Sequence, residues 1–544
     1  MKKFLVYMAC ATAAVMGSTS CSDFGDVNID PEHLNEGNVP LEMLFTNAQH
    51  QALGSDWDVW RNGCIYAAQW MNHVASFNWQ GYAMYQWSDG YSAAYWDGVY
   101  SGDRGAIRDV TNVLMQWKED PTHEIDYQIA RIMRVYVMHR MTDLYGDIPY
   151  TQAGQPREYS YPVYDRQQDI YMDMLNQLNE AQAALKGAGT APMSSHDVYY
   201  QGNTDKWAKF ANSLMLRIAM RMTKVDPATA ETWVKTAVNN GLFASNEDNA
   251  MLLHTNAVTT NDTSEPYAKI YAHEDRGNFF VNKFFIDMLK ETKDPRLSLI
   301  ATVCEDPRIS VQEGSNFQYG NTDPEVQQGF DDGFDDDKTS DWFIGNQPGY
   351  EAFKDQEYLD SYRSKYSTIN RYTYSNPTSP TFICTYAQTQ LLLAEAALRG
   401  WVSGSAQTYY ENGVRAAMEQ FAQFPNATAL YNQYLTSDAV NQYLAENPFD
   451  AAKGYEQINT QYWINCFCDE YETFANWRRS GYPEMDPAWD PAHPYTNSDT
   501  GGTIPRRFRY PSTESSVNMA NYNEAVGRLN NGDRFTSRVW WDVE

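Results

Sequence analysis

Apolar residues recur at three- and four-residue steps over residues 129–144, 170–185, 207–222, 382–398, 406–421 and 458–477. That spacing lines one face of an α-helix. Strand-like alternation is scarce, so the pattern predicts an all-α protein whose helical scaffold covers roughly 40–240 and 380–480. One helix pair is more specific. Leu393, Ala394 and Ala397, followed after the 400–404 turn by Ala406, Tyr410 and Gly413, reproduce the large and small spacings of a tetratricopeptide unit, and Trp207, Phe210, Ala211 and Leu214 match the first helix of another. Residues 77–91, 256–278, 306–376 and 482–503 carry no clear period. Stretches this long are usually functional or disordered, and their wealth of Trp and Tyr argues for order.

The first residues change the picture only at the terminus. Lys2 and Lys3 precede an apolar run over 4–17, then Ser18-Thr19-Ser20-Cys21. This reads as a signal peptide over 1–20 with lipidation of Cys21, leaving one mature domain over 21–544. The apolar run is too short to span a bilayer. With 41 basic against 70 acidic residues, a net charge of −29, nucleic acid is excluded as an expected partner, and membrane attachment has to come through the lipid on Cys21. Setting Cys10 and Cys21 aside leaves Cys64, Cys304, Cys384, Cys466 and Cys468, an odd and sparse set that reads as buried thiols, with neither a disulfide framework nor zinc spacing.

Five stretches then stand out in order: residues 144–150 (LYGDIPY), 209–221 (beginning KFANSL), 390–401, 472–483 (ETFANWRRSGYP) and 504–511 (IPRRFRYP). Together, behind a lipoprotein signal, they resemble the SusD/RagB family. The resemblance implies a tetratricopeptide-containing α fold at the outer-membrane surface that captures oligosaccharide or polysaccharide and delivers it to a SusC-like TonB-dependent transporter. It also implies that the variable, loop-rich middle, about 245–376, contributes to ligand binding. Asp23 and Asp26 echo the acidic residues that follow the lipidated cysteine in the family. The landmarks themselves read as structural.

Sugar capture needs flat apolar faces with hydroxyl-bonding neighbours. Aromatics make up 14% of the chain, and the densest run is Phe77-Asn78-Trp79-Gln80-Gly81-Tyr82-Ala83-Met84-Tyr85-Gln86-Trp87. The candidate ligand residues are therefore Asn72, Trp79, Tyr82 and Trp87, with Tyr319 and Trp342 from a second aromatic set that includes Tyr267, Tyr271, Phe317, Phe343 and Tyr350. Trp96 and Tyr100, at helical spacing, read as core. The acidic run 331–337 reads first as a solvated loop, with Asp331, Asp335 and Asp337 as candidates for a structural calcium; no other cofactor is expected. Phosphate loops, His-Glu-x-x-His and nucleophile elbows are missing, so a binding protein is expected and not an enzyme. The alternatives are a RagB-like peptide binder and a glycoside hydrolase on a helical fold.

Overall fold

The structure, a computed structural model, describes residues 39–100, 105–255, 264–309, 319–334, 339, 341, 343–351, 363–488, 490 and 492–544. Ten helices build the scaffold: α1 (Leu41–Gln51), α2 (Ala106–Trp117), α3 (Glu124–Tyr145), α4 (Gln167–Leu185), α5 (Thr204–Arg221), α6 (Pro227–Asn240), α7 (Tyr386–Leu398), α8 (Ala406–Glu419), α9 (Gly454–Asn465) and α10 (Glu470–Ser480). Each packs on its neighbour in sequence, from α1 through α6, then α7 on α8 and α9 on α10. The two blocks join where α5 meets α7 and α3 meets α10. Stacked helix hairpins of this kind are what the tetratricopeptide spacing predicts. Gly413 shows why the small residue is there: a Cβ on it would lie 2.7 Å from Leu391 Cγ and 3.2 Å from Leu391 N.

Two predicted boundaries are corrected. Residues 382–384 are not helix; Thr381–Cys384 pairs antiparallel with Ala250–Leu252. The helix begins only after Thr385, whose side chain and that of Gln388 form a reciprocal cap. The predicted helix over 458–477 is two helices, because α9 ends at Asn465 and Cys468 takes a φ of 65°, which turns the chain before α10. The other short antiparallel ladders place the site. Val74–Ser76 pairs with Phe279–Val281, Ser76 opposite Phe279, so the loop after Ser76 and the segment before Phe279 leave the ladder side by side.

Buried arginines tie the five sequence landmarks together, through two groups of ion pairs and through hydrogen bonds to backbone carbonyls. Arg221 of the second donates to Asp143, just before the first, and to Glu472 of the fourth. Glu395 of the third accepts from both terminal nitrogens of Arg479, at 2.7 and 2.8 Å. Arg507 of the fifth donates to the Tyr145 carbonyl. Burial alone would raise these carboxyls, but Arg479 and Arg399 outweigh it and hold Glu395 at about 2, while Arg221 and Arg217 hold Glu472 at about 2. His139 and Arg221 likewise hold Asp143 well below the usual range against its burial.

Candidate ligand-binding site

Two π-helical turns converge on one aromatic platform. The first, Val59–Ala67, continues a short helix begun by a Ser55–Asp58 capping box. A π turn takes an extra residue, swings the following side chains out of α register, and recurs at functional sites. Here the neighbouring positions Trp57, Trp60 and Arg61 meet at the platform. The second, Ile270–Glu274, is closed by Asp275 N donating to the Ile270 carbonyl at 3.0 Å. It delivers Asp275 to the platform's base.

Asp275 organises the rings. Its Oδ2 accepts the indole N–H of Trp60 and that of Trp79, each at 2.8 Å, and its Oδ1 accepts from the Asn278 side-chain amide. Ser76 Oγ accepts from the Trp79 backbone N–H at 2.8 Å, fixing where that ring leaves the ladder. Trp60 and Trp79 meet edge to face at 5.3 Å, Trp57 meets Trp60 at 5.4 Å, and Tyr91 packs on Trp60 and Trp79 at 5.8 and 6.1 Å. The outermost ring, Trp57, is 48% exposed. Arg61 lies over two of these rings, its guanidinium carbon 5.6 Å from the Trp57 centroid and 5.7 Å from that of Tyr91.

Of the residues singled out in the sequence, the structure brings Trp79 and Tyr82 into this cluster, Tyr82 as a half-buried base packed edge-on against Tyr66. Trp87 faces elsewhere. The Arg509 guanidinium sits 3.7 Å above its ring, and its indole N–H donates to Ser92 Oγ, so it fastens the loop to the C-terminal segment. Asn72 is buried on the other side of the loop, where its Oδ1 accepts from Asp486 N and where it lines an acidic cleft of about 410 Å³ with Asp331, Asp332, Asp486 and Asp490. Tyr319 stacks on Tyr372 at 4.4 Å. The Arg276 side chain, next to Asp275, donates to the Arg308 carbonyl, and the Arg371 side chain, next to Tyr372, donates to that of Pro307 at 2.6 Å. Tyr267, Tyr271 and Phe343 are core, as is Trp96. Cys21, Phe317, Asp335, Asp337 and Trp342 lie outside the described residues.

Trp57, Trp60, Arg61, Tyr91 and Asp275 were not singled out. The run Trp57-Asp58-Val59-Trp60-Arg61 was visible, but it falls in the range assigned to the helical scaffold and outside the aperiodic stretches where ligand residues were sought, and the π turn that begins at Val59 has no sequence signature. Among the described residues, one trio with metal-ligand potential, His139, Asp143 and Glu472, brings its ligand atoms within 4.8 Å. Arg221 already bonds both of its carboxylates. No helix among the described residues is long and apolar enough to cross a membrane.

The family model described as starch-binding associating with outer membrane, of SusD-like type, matches residues 33–511. A solved chitin-binding protein shares 30% identity and a TM-score of 0.75, covering 93% of this chain and 100% of its own. A Bacteroidetes SusD-like protein follows at 28% and 0.73 over the same shares. A chitin-binding SusD homologue from Flavobacterium johnsoniae, at 22% identity and 0.69 over 93% and 99%, shares the fold. No curated protein sequence matches the chain. With the match running over most of its length and a relative at this identity covering nearly all of it, the chain belongs to the SusD-like family of outer-membrane-associated glycan-binding proteins.

Proposed function

We propose that the protein captures oligosaccharide on the Trp57–Trp60–Trp79–Tyr91 platform and hands it, without turnover, to a SusC-like TonB-dependent transporter. Acylation of Cys21 tethers it to the outer membrane with the platform on the cell-surface side. The observation that carries the reading is the platform: clustered rings on a rigid base, one of them half exposed, suit the C–H faces of pyranose rings. Tyr319 and its partner Tyr372 extend the same surface for a longer chain, and Trp342 is a further candidate contact. Asn72 and Trp87 serve by holding the aromatic loop. Asp331, with Asp335 and Asp337, remains the position where a structural calcium would brace the acidic loop.

The chitin-binding relative makes an N-acetylglucosamine oligomer the first ligand to try. Calorimetry of the mature protein against a glycan panel is expected to show binding with no product released. Replacing Trp60 and Trp79 by Ala together is expected to weaken it at least tenfold, about 1.4 kcal/mol. Unchanged affinity in that double variant would sink the platform as the site.

A further inference from the structure

We infer that the platform is built for a saccharide carrying an oxyanion, a carboxylate or a sulfate, with Arg61 as the residue that recognises it. The inference rests on glycan capture at this platform and names the class of glycan. It starts from a charge census around the rings. Asp275, the carboxylate at the base, accepts from three N–H groups, those of Trp60, Trp79 and Asn278. Asp56 is paired with Lys269 at 2.6 Å. Asp58, one helical turn before Arg61, is buried, which pushes its carboxyl up, and the nearby Arg61 charge offsets only part of this; its Oδ2 is engaged by the backbone N–H and the hydroxyl of Ser55, both at 2.9 Å, and makes no ion pair with Arg61.

Arg61 is left over. Among the described residues it makes no hydrogen bond and no ion pair, and its Nε is buried without an acceptor. Its guanidinium is held only by the faces of Trp57 and Tyr91. Stacking on rings orients the planar fork without occupying its in-plane donors. Those donors match the two oxygens of a carboxylate or sulfate, and a charge-assisted pair of this kind is about twice as strong as a neutral hydrogen bond. A neutral pyranose would use the rings and leave the charge unanswered. In a chain of net charge −29, a guanidinium at the ligand platform that makes no ion pair, even with the nearby buried Asp58, is an arrangement that an anionic guest completes.

The test uses the mature chain and three probes of similar length: an N-acetylglucosamine oligomer, an oligogalacturonate and a sulfated chondroitin oligomer. At low salt, one or both acidic probes are expected to bind at least tenfold more tightly than the neutral one, and the pair tells carboxylate from sulfate. That preference is expected to shrink as sodium chloride is raised, because screening weakens an exposed ion pair and leaves ring stacking intact. Arg61→Gln is expected to abolish the preference and Arg61→Lys, which keeps the charge but loses the fork, to retain part of it, with thermal unfolding confirming that each variant folds. Binding of the neutral oligomer with no acidic preference and no salt dependence in the wild-type chain overturns this inference and leaves glycan capture standing. Failure of all three probes to bind overturns both.

Discussion

At the scale of single residues, Asp275 shows how one acceptor fixes a binding surface. Two indole N–H groups and an amide N–H end on its carboxylate, so its removal leaves three partly buried donors unsatisfied. Each such loss costs about 1–3 kcal/mol when water cannot replace the partner. Asp275→Ala is therefore expected to lower the unfolding free energy by at least that amount and to change the near-ultraviolet circular dichroism of the tryptophans; an unaltered spectrum would show that packing alone sets the rings. The sequence exposed half of this arrangement. Trp79 and Tyr82 were legible because they belong to the densest aromatic run in an aperiodic stretch, whereas Trp60 lies outside those stretches. Asp275 is 196 residues from Trp79 and carries no local mark among 70 acidic side chains.

At the scale of elements, the long helices were legible because apolar residues recur at helical spacing along them, and α5 to α8 also begin at a polar side-chain cap. Asn203 accepts from Lys206 N at the start of α5, and Asp226 does the same for Thr229 ahead of Pro227 in α6. What was hidden depends on partners distant in sequence. Thr381–Cys384 continues the apolar period of α7 and becomes a strand only because Ala250–Leu252 lies beside it. The α7–α8 contact tests the repeat reading directly. Gly413→Leu has to displace the Leu391 side chain and press on its backbone, an overpacking that costs about 1–3 kcal/mol. Gly413→Ala is expected to lose less, since alanine regains about 1 kcal/mol of helix propensity. Denaturant midpoints that fall in the order glycine, alanine, leucine would bear out a true close approach; equal midpoints would mean that α8 moves away freely.

At the scale of the whole molecule, the five landmarks in sequence order become one object in space, and the buried ion pairs make acid the natural probe of it. Arg479 and Glu395 stand 84 residues apart, Arg221 and Glu472 stand 251 apart, and Arg478 and the Asp143 carbonyl it donates to stand 335 apart, which is why the motifs were recognisable while their pairing was not. Glu395 and Glu472 are held at about 2 in the fold, below the ordinary value of 4.5. A carboxyl depressed by folding stabilises the native state fully above its unfolded pKa, and that stabilisation drains away as pH falls through the folded value. Urea unfolding is thus expected to show stability nearly level from neutral pH to about 4.5 as far as these two groups decide it, then a steep fall toward about 2. Arg479→Ala supplies the causal test. It removes the paired forks from Glu395 and leaves only Arg399 beside a buried charge, a loss of about 3–5 kcal/mol for a broken buried pair. It should also raise the Glu395 pKa, so the acid fall begins at a higher pH than in the wild type. If the variant is weaker by a constant amount at every pH, the arginine contributes packing alone, and the charge of the buried pairs is not what ties the landmarks together.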